Sequence, residues 1–266
     1  MNNSSRISSP MLVLTLLVAL AAWLGCNSAP GTGNGTIVND YYLVGVVVVD
    51  PNLDSTRVSA IGLRNDTLLA SIEIAVESDT LVYDDTLFAV DSSWFFAADT
   101  ARHFTPGTHQ INFADDDFSR SVSQLVPDAI SITSLAPFNR LIQGNESATI
   151  EWNGREGYTS YVVAVIKADS AFTGRGWCSY SQTFVNAATV PPDAFLGSDG
   201  LNPDTGLYNL YIYGIVGSPD SALSSALLPV DLPSQLTDNV SQQRLRGHFG
   251  AVSVSLLDTI RVVQQP

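Results

Sequence analysis

Hydrophobic and polar positions along this chain fall into two regimes. Residues 11–24 form one uncharged, almost wholly apolar run. Beyond residue 40 the apolar residues come in short stretches rich in Val, Ile, Thr and aromatics, separated by clusters of Asp, Asn, Gly and Pro. Helical periodicity is nearly absent there, and the pattern is that of a β-sandwich or barrel. Strands are expected in the first half over residues 41–50, 56–64, 71–76, 80–90, 92–97, 108–113 and 118–126. In the second half they are expected over 147–153, 158–167 and 206–216, with a last strand near 258–263.

The same pattern says which faces are buried. Ile72, Ile74 and Val76 alternate with Ser71, Glu73 and Ala75, as a strand with one buried and one wetter face requires. Residues 46–49 are all valine, apolar on both faces, which predicts a central or covered strand. Asn65-Asp66 and Ser78-Asp79 can bond their own backbones in tight turns, and Asp115-Asp116-Asp117 lies where a hairpin reverses. Val126-Pro127-Asp128 is a short stiff connector, because proline fixes its own φ and extends the residue before it. Two sandwich domains, 37–126 and 127–266, are therefore expected to follow one another as a rod.

The second half carries a recognisable order. Trp152 is followed by Tyr161, Val163 and Val165 as Tyr-x-Val-x-Val, and Leu201-Asn202-Pro203 precedes Tyr208. This resembles a fibronectin type III or immunoglobulin-like sandwich, where a strand-B tryptophan packs beneath strand C and a tyrosine corner opens strand F. The chain departs from the family by one extra residue between Pro203 and Tyr208, and by a long insertion, 218–246, before the last strand. The resemblance implies sandwich packing and brings no activity with it. The first half is expected to be a second immunoglobulin-like unit or a pre-albumin-like sandwich. The fold class is thus all-β, two tandem immunoglobulin/fibronectin type III-like β-sandwiches after a cleaved signal peptide.

The apolar run of residues 11–24 would span about 21 Å as a helix, against a hydrocarbon core of about 30 Å. That is short for a membrane span and suits the apolar region of an export signal. Arg6 gives the positive start, and Leu24-Gly25-Cys26 closes the segment. It resembles a bacterial lipoprotein signal with its lipobox, although Trp23 stands where that family usually has Leu. The resemblance implies removal of residues 1–25 and lipid on Cys26. With Asn27 rather than Asp after the cysteine, it also implies anchoring in the outer membrane. An ordinary secretory signal or an uncleaved anchor are the alternatives. Residues 27–36 hold no charge and no large apolar side chain, and read as a flexible tether.

Charge narrows the partners. The chain has 12 Lys+Arg and 26 Asp+Glu; losing residues 1–25 removes only Arg6, leaving 11 against 26, or −15. Such a surface repels phosphate backbones, so no nucleic-acid partner is expected. Membrane attachment would come from the lipid rather than from a basic face.

Candidate chemistry is sparse. Asp115, Asp116 and Asp117, with Asp84, Asp85 and Asp91 in a second acidic loop, are the candidates for calcium. Neither run has the EF-hand spacing, and three adjacent Asp residues also suit a solvated hairpin tip. His103, His109 and His248 lack the partners of a zinc site. Cys178, left alone if Cys26 carries lipid, reads as a small buried hydrophobe rather than a nucleophile. No hydrolase elbow or zinc-protease helix motif occurs, and Gly31-Thr32-Gly33 lies in the tether, where it cannot cradle a phosphate. No cofactor is expected. If Tyr208, Leu210 and Ile212 point into the core, Tyr211 and Tyr213 point outward and join Trp177 and Tyr180 as a candidate aromatic binding surface. The alternative is that leucines of the 218–246 insertion cover those rings.

These readings describe a non-catalytic envelope or surface lipoprotein acting in adhesion, interaction or scaffolding, with a protein or glycan partner. The alternatives are a carbohydrate-binding lipoprotein of a glycan uptake system and, further off, a secreted hydrolase.

Overall fold

Strand alternation governs the whole computed structural model, which describes residues 40–53, 55–69, 71–77, 79–84, 95–97, 106–154, 157–168, 176–182, 185–197, 199–225, 227–232 and 237–264. The expected signal peptide, Cys26 and the tether lie outside these residues. So do Asp85, Asp91 and His103, and most of the strand expected over 80–90. The first half forms β1 (Tyr41–Asp50), β2 (Ser55–Arg64), β3 (Thr67–Leu68), β4 (Glu73–Val76), β5 (Asp79–Thr80), β6 (Val82–Asp84), β7 (Phe95–Ala97), β8 (Gly107–Asp115) and β9 (Phe118–Val126). The second forms β10 (Ile132–Ala136), β11 (Leu141–Gln143), β12 (Ala148–Trp152), β13 (Ser160–Lys167), β14 (Trp177–Gln182), β15 (Ala187–Val190) and β16 (Gly206–Gly217). A helical turn α1 (Ser221–Ser225) then leads to β17 (Val240–Gln242), β18 (Leu245–Val254) and β19 (Asp258–Val263).

The fold is all-β, and its two sandwiches share one sheet. That 12-stranded sheet contains β14, β13, β16, β18, β1, β2, β7 and β6 in lateral order, with β11, β19, β3 and β17 attached. Two small sheets, β5-β4-β8-β9 and β10-β12-β15, close the two sandwiches against it. β18 and β19 both run antiparallel to β16 and meet it in sequence, at Tyr213↔Val254 and Leu210↔Asp258. Residues 245–263 therefore act as one long strand with an extra residue near Ser255, a β-bulge. On its other side this strand pairs in parallel with β1 (Tyr41↔Leu245 to Val49↔Ser253) and with β11 (Leu141↔Arg261).

Three cores follow from this sheet. The first joins β1, β2, β4, β8 and β9 with Leu245, Phe249 and Ala251 of β18. The second surrounds Trp152, Tyr161, Val163, Val165, Tyr208, Leu210 and Ile212. Val216 of the second core lies opposite Ala251 of the first, so both cores occupy one face of the shared sheet. Its other face buries Val44, Val46, Val48, Val252 and Val254 beneath Leu223, Leu227, Leu228, Val230 and Leu232. This double coverage is why the valine run of β1 is apolar on both sides.

The order expected from the fibronectin-like motif is present locally. Trp152 lies edge-to-face on Tyr161 at 5.4 Å, and the Tyr208 hydroxyl donates to the Asp204 carbonyl at 2.7 Å, closing a tyrosine corner. Asn65 and Asp66 take positive φ (48° and 61°) in the two-residue turn from β2 to β3, as a tight twisted hairpin demands.

The split at Val126-Pro127 needs correction. It separates the two small sheets, but residues 240–254, assigned from the sequence to the second domain, supply Val240, Leu245, Phe249 and Ala251 to the first core. Leu125 crosses the other way, packing on the second core. The sandwiches are thus joined through a shared sheet as well as through the connector, and β18, a strand not expected from the sequence, precedes the last strand expected near 258–263, which forms as β19.

The parallel seam depends on a close approach. A Cβ at Gly45 would stand 2.2 Å from the Phe249 ring, and one at Gly247, whose φ is 141°, 1.8 Å from the Leu43 carbonyl oxygen. Only glycine allows both contacts. Phe249→Ala is therefore expected to cost about 3–5 kcal/mol through the void it leaves, and Gly45→Ala about 1–3 kcal/mol through overpacking. In urea denaturation the double variant should lose less than the sum, because the new methyl enters the vacated space. Simple additivity would show that the ring and the glycine are not coupled.

Candidate functional site

Strand register decides which of the aromatic candidates meet. Tyr213 lies opposite Val162, which lies opposite Tyr180; Tyr211 lies opposite Ala164, which lies opposite Cys178. These side chains share the outer face of the sheet. Trp177 instead lies in register with Val165 and Leu210 and packs, half-buried, on the second core. Tyr213 is fully buried and Tyr211 half-buried beneath the insertion, which leaves Tyr180, 40% exposed, as the one open ring of the four. The candidate aromatic surface is not continuous, because the leucines of residues 223–232 roof it, as the alternative reading of the insertion held. Burial accordingly raises the pKa of both Tyr211 and Tyr213.

Trp177 contributes to a different feature. With Val165, Lys167, Asp193, Asp204 and Tyr208 it lines a cleft of about 550 Å³ at the end of the second sandwich. Lys167, the chain's single lysine, donates to Asp204 Oδ1 at 2.6 Å. Asp204 is placed there by the tyrosine corner, whose Tyr208 ring stacks edge-on against Phe195 at 5.1 Å. An indole wall beside an ammonium and carboxylates can meet a polar ring-shaped ligand, and the volume is in the small-ligand range.

A polar chain, which the sequence reading missed, fastens the insertion to the sheet. His248 Nε2 lies 2.9 Å from Asp220 Oδ2, and its Nδ1 lies 3.3 Å from the Tyr42 hydroxyl. That hydroxyl donates to Asp238 Oδ1 at 2.8 Å. Asp220 also accepts from the Leu223 amide at 2.8 Å, capping α1. His248 and Asp220 are 28 residues apart, so no local spacing announces them. Burial, the Asp238 hydrogen bond and the nearby carboxylates push the Tyr42 hydroxyl up to about 12. Burial pushes Asp220 up as well, but bonds from His248 and the backbone amides outweigh it and hold the carboxyl below its usual range.

The remaining candidates resolve as follows. Asp116 and Asp117 form the turn between β8 and β9, as expected. Asp115 accepts from the Tyr41 hydroxyl at 2.9 Å and faces Arg64 at 3.5 Å. Its carboxylate is thus committed to a protein cation, and among the described residues no group of three or more His, Cys, Asp or Glu converges as a metal site. Cys178 is exposed, not buried as expected, because its edge strand pairs only with β13 among the described strands. Partial desolvation and the Asp231 charge raise its pKa, which lowers the thiolate fraction.

No protein-family model matches the chain, and no curated protein matches it. Among solved structures it is similar to the chicken CNTN1 FN1–FN3 domains, at TM-score 0.29 and 7% identity over 84% of this chain. The chain spans 63% of the length of that structure. Murine CEACAM1b aligns at TM-score 0.23 and 10% identity, over 83% of this chain and 100% of the other. The D0–D1 domain of intimin aligns at TM-score 0.21 and 10% identity, over 82% and 98%. These are similarities of fold alone.

Because Asp220 is depressed in the folded protein, its contribution is present above its unfolded value near 4 and is lost as pH falls. Asp220→Asn keeps a cap for α1 but removes the charge. Between pH 5 and 2 its stability, followed by urea unfolding, should fall less steeply than that of the wild type. An unchanged slope would show that His248 and the backbone amides do not favour the carboxylate.

Proposed function

We propose that this chain is an interaction or scaffolding module of the bacterial envelope, held to the outer membrane by lipid on Cys26. The observation that carries this reading is the position of β1. The strand that directly follows the sequence read as tether is a central strand, paired along its length with β2 and β18. Its start is pinned: Arg244 makes a bidentate ion pair with Asp40, and the Arg244 carbonyl accepts the Tyr41 amide at 3.0 Å. The Arg244 guanidinium holds the Asp40 carboxyl below its usual range. A chain fastened at this point has its best-secured strand next to its anchor, which suits a module that must hold a partner while tethered.

Protease treatment of intact cells tests the reading, with Cys26→Ser as companion. The lipidated protein should fractionate with the outer membrane, and Cys26→Ser should release it to the soluble fraction. Unchanged fractionation of the variant would rule out the anchor. Loss of wild-type protein from intact cells would identify display on the surface; protection until the outer membrane is opened would identify a periplasmic partner.

The Trp177 cleft supports a second reading, glycan capture. Calorimetric titration with a panel of neutral oligosaccharides should then give binding that Trp177→Ala weakens at least tenfold. Equal heats for both proteins would remove it.

A further inference from the structure

The Trp177 cleft is bounded by residues that also belong to a second cavity. Asp193 and Leu196, at a short 3-10 turn (Pro192–Phe195) that follows β15, line both. The second cleft, of about 580 Å³, is completed by Gly144, Asn145, Pro191, Pro192, Leu201 and Pro203. The two clefts therefore adjoin, and each lies in the small-ligand range of about 300–1,000 Å³. Trp177 lines only the first; Leu201, 81% exposed, lines only the second.

The walls are fixed by the protein itself. Leu196 bridges to Pro203, the Gly197 amide donates to the Asn202 carbonyl at 2.8 Å, and the Asp204 amide donates to the Phe195 carbonyl at 2.8 Å. Asp199 Oδ1 accepts from the Leu201 and Asn202 amides at 3.0 and 3.1 Å, which sets the tip of this loop. Pro203 packs so closely on Gly144 that a Cβ there would stand 2.1 Å from its ring. With three prolines among the walls, each fixing its own φ, little conformational freedom remains to be lost when a ligand binds.

We propose that the two clefts form one extended site for a linear, uncharged oligosaccharide, with Asp193 at the crossing. The proposal rests on the glycan reading of the Trp177 cleft and extends it from one sugar ring to a chain. The indole offers flat area to the first ring, and the proline and leucine walls of the second cleft offer apolar surface to the C–H face of the next. Charge selects the neutral class. Lys167 is engaged by Asp204 at 2.6 Å, whereas the exposed Asp193 carboxylate bonds to nothing among the described residues. An acceptor-only group at that place suits hydroxyl donors and repels an anionic chain. An extended peptide fits less well. Pro191, Pro192 and Pro203 have no amide N–H to give to an added strand, and the described lining of the second cleft lacks the aromatic rings on which proline-rich peptides dock.

Calorimetric titration of the full chain with graded gluco-, manno- and xylo-oligosaccharides, from disaccharide to hexamer, tests this. In at least one series the affinity should rise at least tenfold with length and then level off. Leu201→Ser should weaken the hexamer at least fivefold and leave the disaccharide unchanged, with the urea midpoint unaltered because the side chain is exposed. Trp177→Ala should weaken both lengths. Oligogalacturonides of the same lengths should bind at least tenfold more weakly than the neutral chain. Equal affinity for disaccharide and hexamer, or a Leu201→Ser effect that is absent or the same at both lengths, would overturn the extended site. So would tighter binding of oligogalacturonides or of a polyproline peptide. In the first two cases the glycan reading of the Trp177 cleft stands if Trp177→Ala still weakens the disaccharide. No binding in any neutral series would remove both.

Discussion

The pairing of β1 with residues 245–254 is the constraint on which the rest of this structure depends. It is a parallel ladder between the first described strand and one near the chain's end, in register from Tyr41↔Leu245 to Val49↔Ser253. Remove it and three things come apart. The first sandwich loses Leu245, Phe249 and Ala251 from its core. The shared sheet divides between β18 and β1. The roof of residues 223–232 loses the valines of β1 beneath it. Parallel pairs need long crossovers and coverage on both faces, and this chain satisfies both needs at once: the crossover is nearly the whole protein, and its last part folds back as the cover.

Much of this was legible in the sequence wherever the cause was local. β1 and β9 match the expected bounds because strong alternation or an all-valine run is flanked by Asp, Pro or Phe at the turns. The tyrosine corner followed from Leu201, Pro203 and Tyr208. β18 escaped because its apolar residues serve two different cores from opposite faces, with Gly247, His248 and Gly250 between them. Such a strand alternates only when both partners are known. The aromatic row shows the same limit. Alternation correctly separated Tyr211 and Tyr213 from Tyr208, Leu210 and Ile212, but coverage by the insertion is a tertiary fact. Its one local trace was a set of leucines, from Leu223 to Leu232, with no other surface to bury.

A chain this acidic uses its few cations where distant segments cross. Arg244 meets Asp40 across 204 residues, and Arg140 meets Asp258 across 118. Lys167 meets Asp204 at the mouth of the Trp177 cleft, and Arg64 meets Asp115 beside the first core. Exposed pairs of this kind contribute little stability each. Their effect is on register: a bidentate guanidinium–carboxylate pair fixes orientation as well as distance, and here it fixes the start of β1 and the turn from β10 to β11.

The same architecture sets an order on folding. β8 and β9 pair through a two-residue turn, and β13 finds β16 within the second half. Neither needs the chain's end. The first sandwich, however, cannot complete its core until Phe249 and its neighbours arrive, and β1 has no second partner until then. Contacts at such separation carry a large loop-closure cost and slow the final step. The β1 edge and its valines stand open in the meantime, a surface prone to wrong pairing. What the closed structure gains is a single unit in which the first sandwich takes Leu245, Phe249 and Ala251 from β18 and Leu125 packs on the second core. Two strands, β1 and β11, share one side of residues 245–263 as a consequence of that closure.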